Sequence, residues 1–307
     1  MKNIIRYNSA NTFFRNKFGD KIIKIALDGG FTCPNRDGKL SYGGCIFCSE
    51  KGSGDFAGDR NNTIEEQFEI NKKKMNQKWK TGKYIAYFQA FTNTYAPFEY
   101  LKDLFTRASN LDNVVGIFIA TRPDCISEEI VQFLSKLNEK VYICIELGFQ
   151  TSKKDSIKLI NRCYENIVFE NCVKMLNKYN IDIIVHTILG LPYETKEDML
   201  NTIKYVSSFH ISGIKLQLLH IIENTSLHKL YNNKPFKILS LEEYVDIVVS
   251  CIEILPPNVV IHRLTGDGHK NTLIEPKWSL NKKVVLNSIN KEFINRDTFQ
   301  GKFFYKN

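Results

Sequence analysis

The chain has 307 residues, of which 43% are apolar, 12% aromatic and 24% charged, a composition that excludes disordered, collagen-like and membrane-embedded classes. That length allows two domains or one large α/β domain with an extension. No apolar run reaches the roughly 18 residues of a spanning helix, and residues 1–10 lack a signal-peptide core, so a cytoplasmic protein without membrane attachment is expected. The net charge of +9 is uneven: residues 1–27 hold six Lys/Arg against Asp20, and residues 276–307 hold seven, including Lys282, Lys283 and Lys291, against Glu292 and Asp297. Each end nets +5 and the middle −1, which suits a polyanion such as RNA held at the periphery, and equally suits solvated termini.

In chain order, short β-branched or aromatic runs predict strands at 21–27, 84–89, 114–120, 141–147, 181–189 and 214–219. Between them lie amphipathic patterns. Residues 63–79 open on a Thr63/Glu66 capping box, 97–110 carry the stripe Leu101, Leu104, Phe105, Ala108, and 127–138, 166–180 and 195–209 follow, with Ser127 and Thr195 as N-caps. Strict β/α alternation implies parallel strands with helices outside, as an open sheet or a barrel-like closure. After Leu219 the alternation weakens into a loop to Leu239, a helix from Ser240 with a Glu243 capping box, a run at 259–262 and a basic tail.

The connection after the first strand is about 35 residues long, far above the usual two to six. It contains Cys33, Cys45 and Cys48, whereas Cys125, Cys144, Cys163, Cys172 and Cys251 are scattered and are expected to be core thiols. Three thiolates on a Gly-rich loop suit soft iron or zinc, with redox chemistry a further option. A structural zinc site wants a fourth ligand, and no other Cys or His is near in sequence. A 4Fe-4S cluster on three cysteines keeps one iron open for chemistry. The loop leaves the carboxyl end of a parallel strand, where active sites of such folds lie.

Cys33-Pro-Asn-Arg-Asp-Gly, Gly43-Gly-Cys-Ile-Phe-Cys, Phe88-Gln-Ala-Phe-Thr-Asn-Thr-Tyr-Ala, Ala120-Thr-Arg-Pro-Asp and Gly190-Leu-Pro, taken in order, resemble the YtqA/YhcC-type branch of the radical S-adenosylmethionine (SAM) superfamily, over residues 5–275. The cysteine spacing is Cys-x11-Cys-x2-Cys, wider than the superfamily's commonest pattern. The resemblance implies an α/β fold, a partial (β/α)6 radical SAM barrel with a C-terminal extension. Residues 1–20 would be a basic N-terminal extension, 21–230 the core barrel with cluster loop 28–62, and 231–307 the extension with its basic tail.

It further implies one 4Fe-4S cluster on Cys33, Cys45 and Cys48, and SAM bound at the open iron and cleaved on reduction to a 5'-deoxyadenosyl radical. SAM contacts would come from Phe47, Gln89, Thr92, Asn93, Glu146, Gln150, His186 and Gly190, although the superfamily's Gly-Gly-Glu is absent. Arg122, Asp124, Lys215, Gln217, His220 and His269 are candidate substrate contacts, and Lys282, Lys283 and Lys291 candidate RNA contacts. For Glu146, an ion pair with Arg122 or Lys215 is the competing reading. No second Cys-x2-Cys pair speaks for an auxiliary cluster.

MnmL-like members of the branch act on tRNA wobble uridine, turning 5-carboxymethylaminomethyl(-2-thio)uridine into 5-aminomethyl(-2-thio)uridine, so tRNA and an electron donor such as flavodoxin or ferredoxin are the expected partners. A radical enzyme on another RNA or a small molecule, and a non-catalytic iron- or zinc-binding module, are the alternatives. A brown chromophore and reductive SAM cleavage separate them from the zinc module.

Overall fold

The computed structural model describes residues 5–52, 54, 57–79, 82–266, 268 and 270–304. Its centre is a seven-stranded parallel sheet of β1 (Ile22–Leu27), β2 (Lys83–Phe88), β3 (Val114–Thr121), β4 (Tyr142–Gln150), β5 (Asp182–Leu189), β6 (Gly213–Leu218) and, beyond a two-residue β7 (Ile221–Ile222), β8 (Val260–Arg263), in the order β1-β2-β3-β4-β5-β6-β8. β7 pairs instead with β9 (Leu273–Glu275). The six expected strands are present within a few residues of their expected ends, and the run at 259–262 adds a seventh.

Most strands are largely buried on both faces, while β1 alternates buried and half-buried positions, so the runs are mostly apolar with single polar residues such as Lys24, Glu146 and Lys215 set within them. One face carries Ala86, Phe88, Ile117, Ile119, Ile143, Ile145, Ile183 and Val185 into a core shared with the surrounding helices. These are α2 (Ile64–Asn76), α3 (Phe98–Ser109), α4 (Glu128–Asn138), α6 (Asn166–Lys178), α7 (Lys196–Ser207) and α9 (Leu241–Glu253), which follow α1 (Ala10–Phe18) and, in chain order, flank α5 (Lys154–Leu159) and α8 (Ser226–Asn233); α10 (Lys282–Asn295) packs on α9. The capping boxes at Thr63 and Ser240 form as expected, and Thr195 forms one with Asp198.

The opposite face is the barrel interior, where Ile85, Phe118, Cys144 and Ile184 make a small second core with Phe14. α1 supplies Phe14 and contacts both β1 and β8, the two edges of the sheet, a position open to it only because the sheet curls. It plugs one end of the interior. Four helices were not anticipated. α1 hides in a basic segment, although Ser9 caps it and Ala10, Phe13, Phe14 and Phe18 form its apolar face. α5 is one short turn and a half, α8 lies in the expected loop to Leu239, and α10 occupies the supposed tail, anchored by buried Val285, Ile289 and Phe293. The two basic ends also meet: Arg6 pairs with Asp297 at 2.9 Å, and the Asn8 N–H donates to Gln300 Oε1 at 2.8 Å.

Candidate active site

The cysteine loop is shaped by its glycines and one arginine. Gly44 sits at φ +84°, and a Cβ there would lie 2.9 Å from the Arg36 guanidinium, so the loop closes only around a residue without a side chain. Arg36 donates to the carbonyls of Ser49 (2.5 Å), Glu50 (3.3 Å) and Cys48 (3.4 Å), folding the second half of the loop onto the first. Asn161, just past α5, donates to the Gly44 carbonyl at 2.9 Å, and the Ile46 N–H donates to Ile160 O at 3.2 Å.

So held, Cys33, Cys45 and Cys48 line one cavity of about 930 Å³, partly open to solvent, at the carboxyl end of the barrel. Among the described residues no three His, Cys, Asp or Glu side chains converge on a single metal ion. A hydrogen bond with Cys48, then burial, pushes the Cys45 thiol well above its ordinary range. Three soft donors lining one cavity suit an iron-sulfur cluster.

The barrel interior continues the cavity. Glu146, fully buried on β4, accepts through Oε2 from Lys215 Nζ (2.5 Å), Tyr87 Oη (2.7 Å) and His186 Nε2 (2.9 Å), and through Oε1 from Lys24 Nζ (3.3 Å). Lys215 also donates to Tyr87 Oη at 3.0 Å. Burial alone would raise the Glu146 carboxyl, but Lys215, Lys24 and His186 hold it well below the usual carboxylate range. Burial pulls Lys215 down to about 7 against the opposing attraction of Glu146. Burial, with Lys215 adding to it, pulls His186 down to about 4, so His186 is neutral, donating from Nε2 and accepting from Gln217 Nε2 at Nδ1, 3.2 Å away.

A second cavity adjoins the first, sharing Phe47, Gln89, Gln150, His186, Gln217 and Arg263, and adding His220 and Ile188.

Two family models match the chain, the Radical SAM superfamily over residues 33–206 and the Radical_SAM C-terminal domain over residues 211–295. The chain belongs to the radical SAM superfamily. It is 48% identical to the uncharacterized protein YtqA of Bacillus subtilis (strain 168), over 98% of this chain and 94% of that one, and 30% identical to protein YhcC of Escherichia coli (strain K12), over 93% and 91%. A shorter match, 27% identical over 44% of this chain and 29% of the relative, is to a tRNA-2-methylthio-N(6)-dimethylallyladenosine synthase of Alkaliphilus oremlandii. The archaeal Methanocaldococcus infernus Elp3 shares the fold at a TM-score of 0.70 and 18% identity, over 91% of this chain and 64% of that longer one. The protein is therefore a radical SAM enzyme that uses a 4Fe-4S cluster and SAM, and, like its superfamily, needs a reductant. Among the described residues no helix is long and apolar enough to cross a membrane.

Of the residues singled out in the sequence, the cavities gather the three cysteines with Phe47, Gln89, Thr92, Arg122, Glu146, Gln150, His186, Lys215, Gln217 and His220. Asn93 is buried beside them, donating to Ala120 O at 2.7 Å with its Oδ1 unpaired. Gly190 ends β5 against Leu239 and Leu219, outside both linings, and His269 lies outside the described residues. Arg122 is bound by Asp124 (2.7 and 2.9 Å) and so is not the partner of Glu146; Lys215 is, joined by Lys24. Cys144, Cys172 and Cys251 are core thiols as expected, but Cys125 is half-buried and Cys163 exposed, the latter because a left-handed turn after α5 (φ +61°) directs it outward. Tyr87, Arg263 and Lys24 were missed, since each is one polar residue in or beside an apolar run, and only the alternation of inward positions along the strands could have signalled them.

Proposed function

We propose that this enzyme acts on tRNA, converting 5-carboxymethylaminomethyl(-2-thio)uridine at the wobble position to 5-aminomethyl(-2-thio)uridine. The observation that carries this reading is a cavity running from the three cysteines, past Gln89, Gln150 and His186, to a wall bearing Lys215, Gln217 and Arg263. Its far side adjoins the N-terminus of α10, where Lys282 is close enough to act electrostatically on His220 and Arg263. Cationic groups within suit the substrate's side-chain carboxylate, and Lys282, Lys283 and Lys291 on α10 suit its phosphates. The tRNA-modifying relative supports the same class of partner.

In this reading Cys33, Cys45 and Cys48 hold the cluster. Phe47, Gln89, Thr92, Glu146, Gln150 and His186 line the SAM side, with Asn93 buried beside them, whereas Gly190 stands outside the lining. When bound there, the cluster and SAM would supply a radical that takes hydrogen from the glycyl methylene; loss of one more electron, returned to the cluster, and of the N–H proton would leave an imine, which water would split into the 5-aminomethyl nucleoside and glyoxylate. Lys215 and Arg263 fix the carboxylate, Gln217 and His220 flank it, and Glu146 orients Lys215 and holds its proton. Arg122 and Asp124 brace each other at the end of β3. A cytoplasmic flavodoxin or ferredoxin supplies the electron.

Nucleoside mass spectrometry of tRNA from a strain lacking the gene tests this. Accumulation of the carboxymethylaminomethyl nucleoside at the expense of the aminomethyl form is expected; an unchanged nucleoside profile would overturn it.

A further inference from the structure

Asn35 stands two residues after Cys33 and is fully buried. Its Nδ2 lies 2.7 Å from Asn161 O, 3.4 Å from Arg162 O and 3.6 Å from the Cys45 sulfur, and its own carbonyl accepts from the Gly44 N–H at 2.8 Å. Its Oδ1 is buried without a partner. Leaving a buried amide oxygen without a partner is unfavourable, so this orientation needs a reason. Turning the amide over would set the oxygen against two carbonyls and the sulfur, which is worse. The amide is thus fixed with its N–H groups toward Cys45, and the carbonyl that fixes it belongs to Asn161, itself at φ +55°.

A thiol at Cys45 donates to that same Asn161 carbonyl at 3.7 Å. A thiolate ligating iron has no proton to offer, and carbonyl and sulfur then repel unless a donor stands between them. The Asn35 amide is placed to do this, bridging Asn161 O and Cys45 Sγ.

We propose that Asn35 is a positioning residue that donates an N–H to the Cys45 thiolate and so raises the reduction potential of the cluster. This rests on Cys45 being a cluster ligand. Adding an electron increases the negative charge on the ligating sulfur, so an N–H dipole aimed at it favours the reduced state, and hydrogen bonds to sulfur are among the factors that set such potentials.

The test is a redox titration of anaerobically reconstituted full-length protein, followed by electron paramagnetic resonance, with iron content and circular dichroism recorded in parallel. Asn35→Ala removes the donor, and Asn35→Asp keeps the volume while replacing the donor by an acceptor. Each variant is expected to make reduction about tenfold less favourable, a downward shift of ~59 mV for one electron. Asn180→Gly, at a left-handed position (φ +54°) in the turn between α6 and β5 away from the cysteine loop, is expected to keep the wild-type potential. A wild-type protein that takes up no cluster removes the cysteine assignment itself. A loaded wild type whose Asn35 variants keep its potential overturns the inference alone. So do Asn35 variants that fold but never retain iron, because the amide then only holds the loop.

Discussion

Replacing Glu146 by Gln removes the one carboxylate that Lys215, Lys24, Tyr87 and His186 share. Breaking a buried ion pair from one side costs about 3–5 kcal/mol when the orphaned charge stays. At pH 7 the orphan has an exit, because Lys215 sits near 7 and sheds its proton at little cost. A loss near the lower limit, about 3 kcal/mol, is expected there. At pH 5.5 the wild-type Lys215 is protonated and paired, whereas the variant must strip or strand that proton. The added loss is about 2 kcal/mol, from the 1.5-unit distance at ~1.4 kcal/mol per unit. The sign is fixed: losing Glu146 lowers the Lys215 value further, so below pH 7 the wild-type fold binds more protons than the variant fold, and the variant's deficit grows as pH falls. Glu146 stays ionised in the wild type throughout, and His186 stays neutral. Urea denaturation of the metal-free proteins at both pH values measures this, and an equal deficit at pH 7 and 5.5 would refute the shared-carboxylate account.

Alanine at Cys33, Cys45 or Cys48 is expected to abolish iron retention, whereas Cys251→Ala, on the buried face of α9, keeps iron and costs only packing; equal iron loss at Cys251 would undo the assignment. Binding of tRNA bearing the carboxylated nucleoside should weaken as pH rises through about 7, where Lys215 loses its charge, and Lys215→Met should flatten that profile, as fluorescence anisotropy at fixed salt would show. Neutralising Lys282, Lys283 and Lys291 together should reduce the slope of log affinity against log salt by up to about 0.9 for each phosphate no longer neutralised, while SAM cleavage without tRNA persists. An unchanged slope would remove α10 from the tRNA interface.

The fold was legible because its signals are local: strands that are mostly buried and largely apolar, helices with capping boxes at Thr63 and Ser240. α1 and α10 escaped because their charged residues outnumber the few that anchor them, Phe14 in one and Val285, Ile289 and Phe293 in the other. That Cys33, Cys45 and Cys48 share one site was legible from their place on one long loop after the first strand, and they line one cavity, whereas their role as cluster ligands comes from the family resemblance. The network around Glu146 was only half legible. Its members come from positions 24, 87, 146, 186 and 215 on five strands, and their meeting depends on the curl of the sheet and on inward register, which no local pattern states. Cys163 was misread for a related reason, since its exposure follows from a backbone turn rather than from its residue type.

The most direct measurement is a single reaction: anaerobically reconstituted enzyme, SAM, a reductant and tRNA carrying 5-carboxymethylaminomethyluridine, followed for both 5'-deoxyadenosine and tRNA nucleosides. The account predicts that 5-aminomethyluridine forms in step with 5'-deoxyadenosine, and that neither forms when Cys45 is replaced by Ala. SAM cleavage by the intact enzyme that leaves the carboxymethylaminomethyl nucleoside unconverted would contradict the proposed substrate.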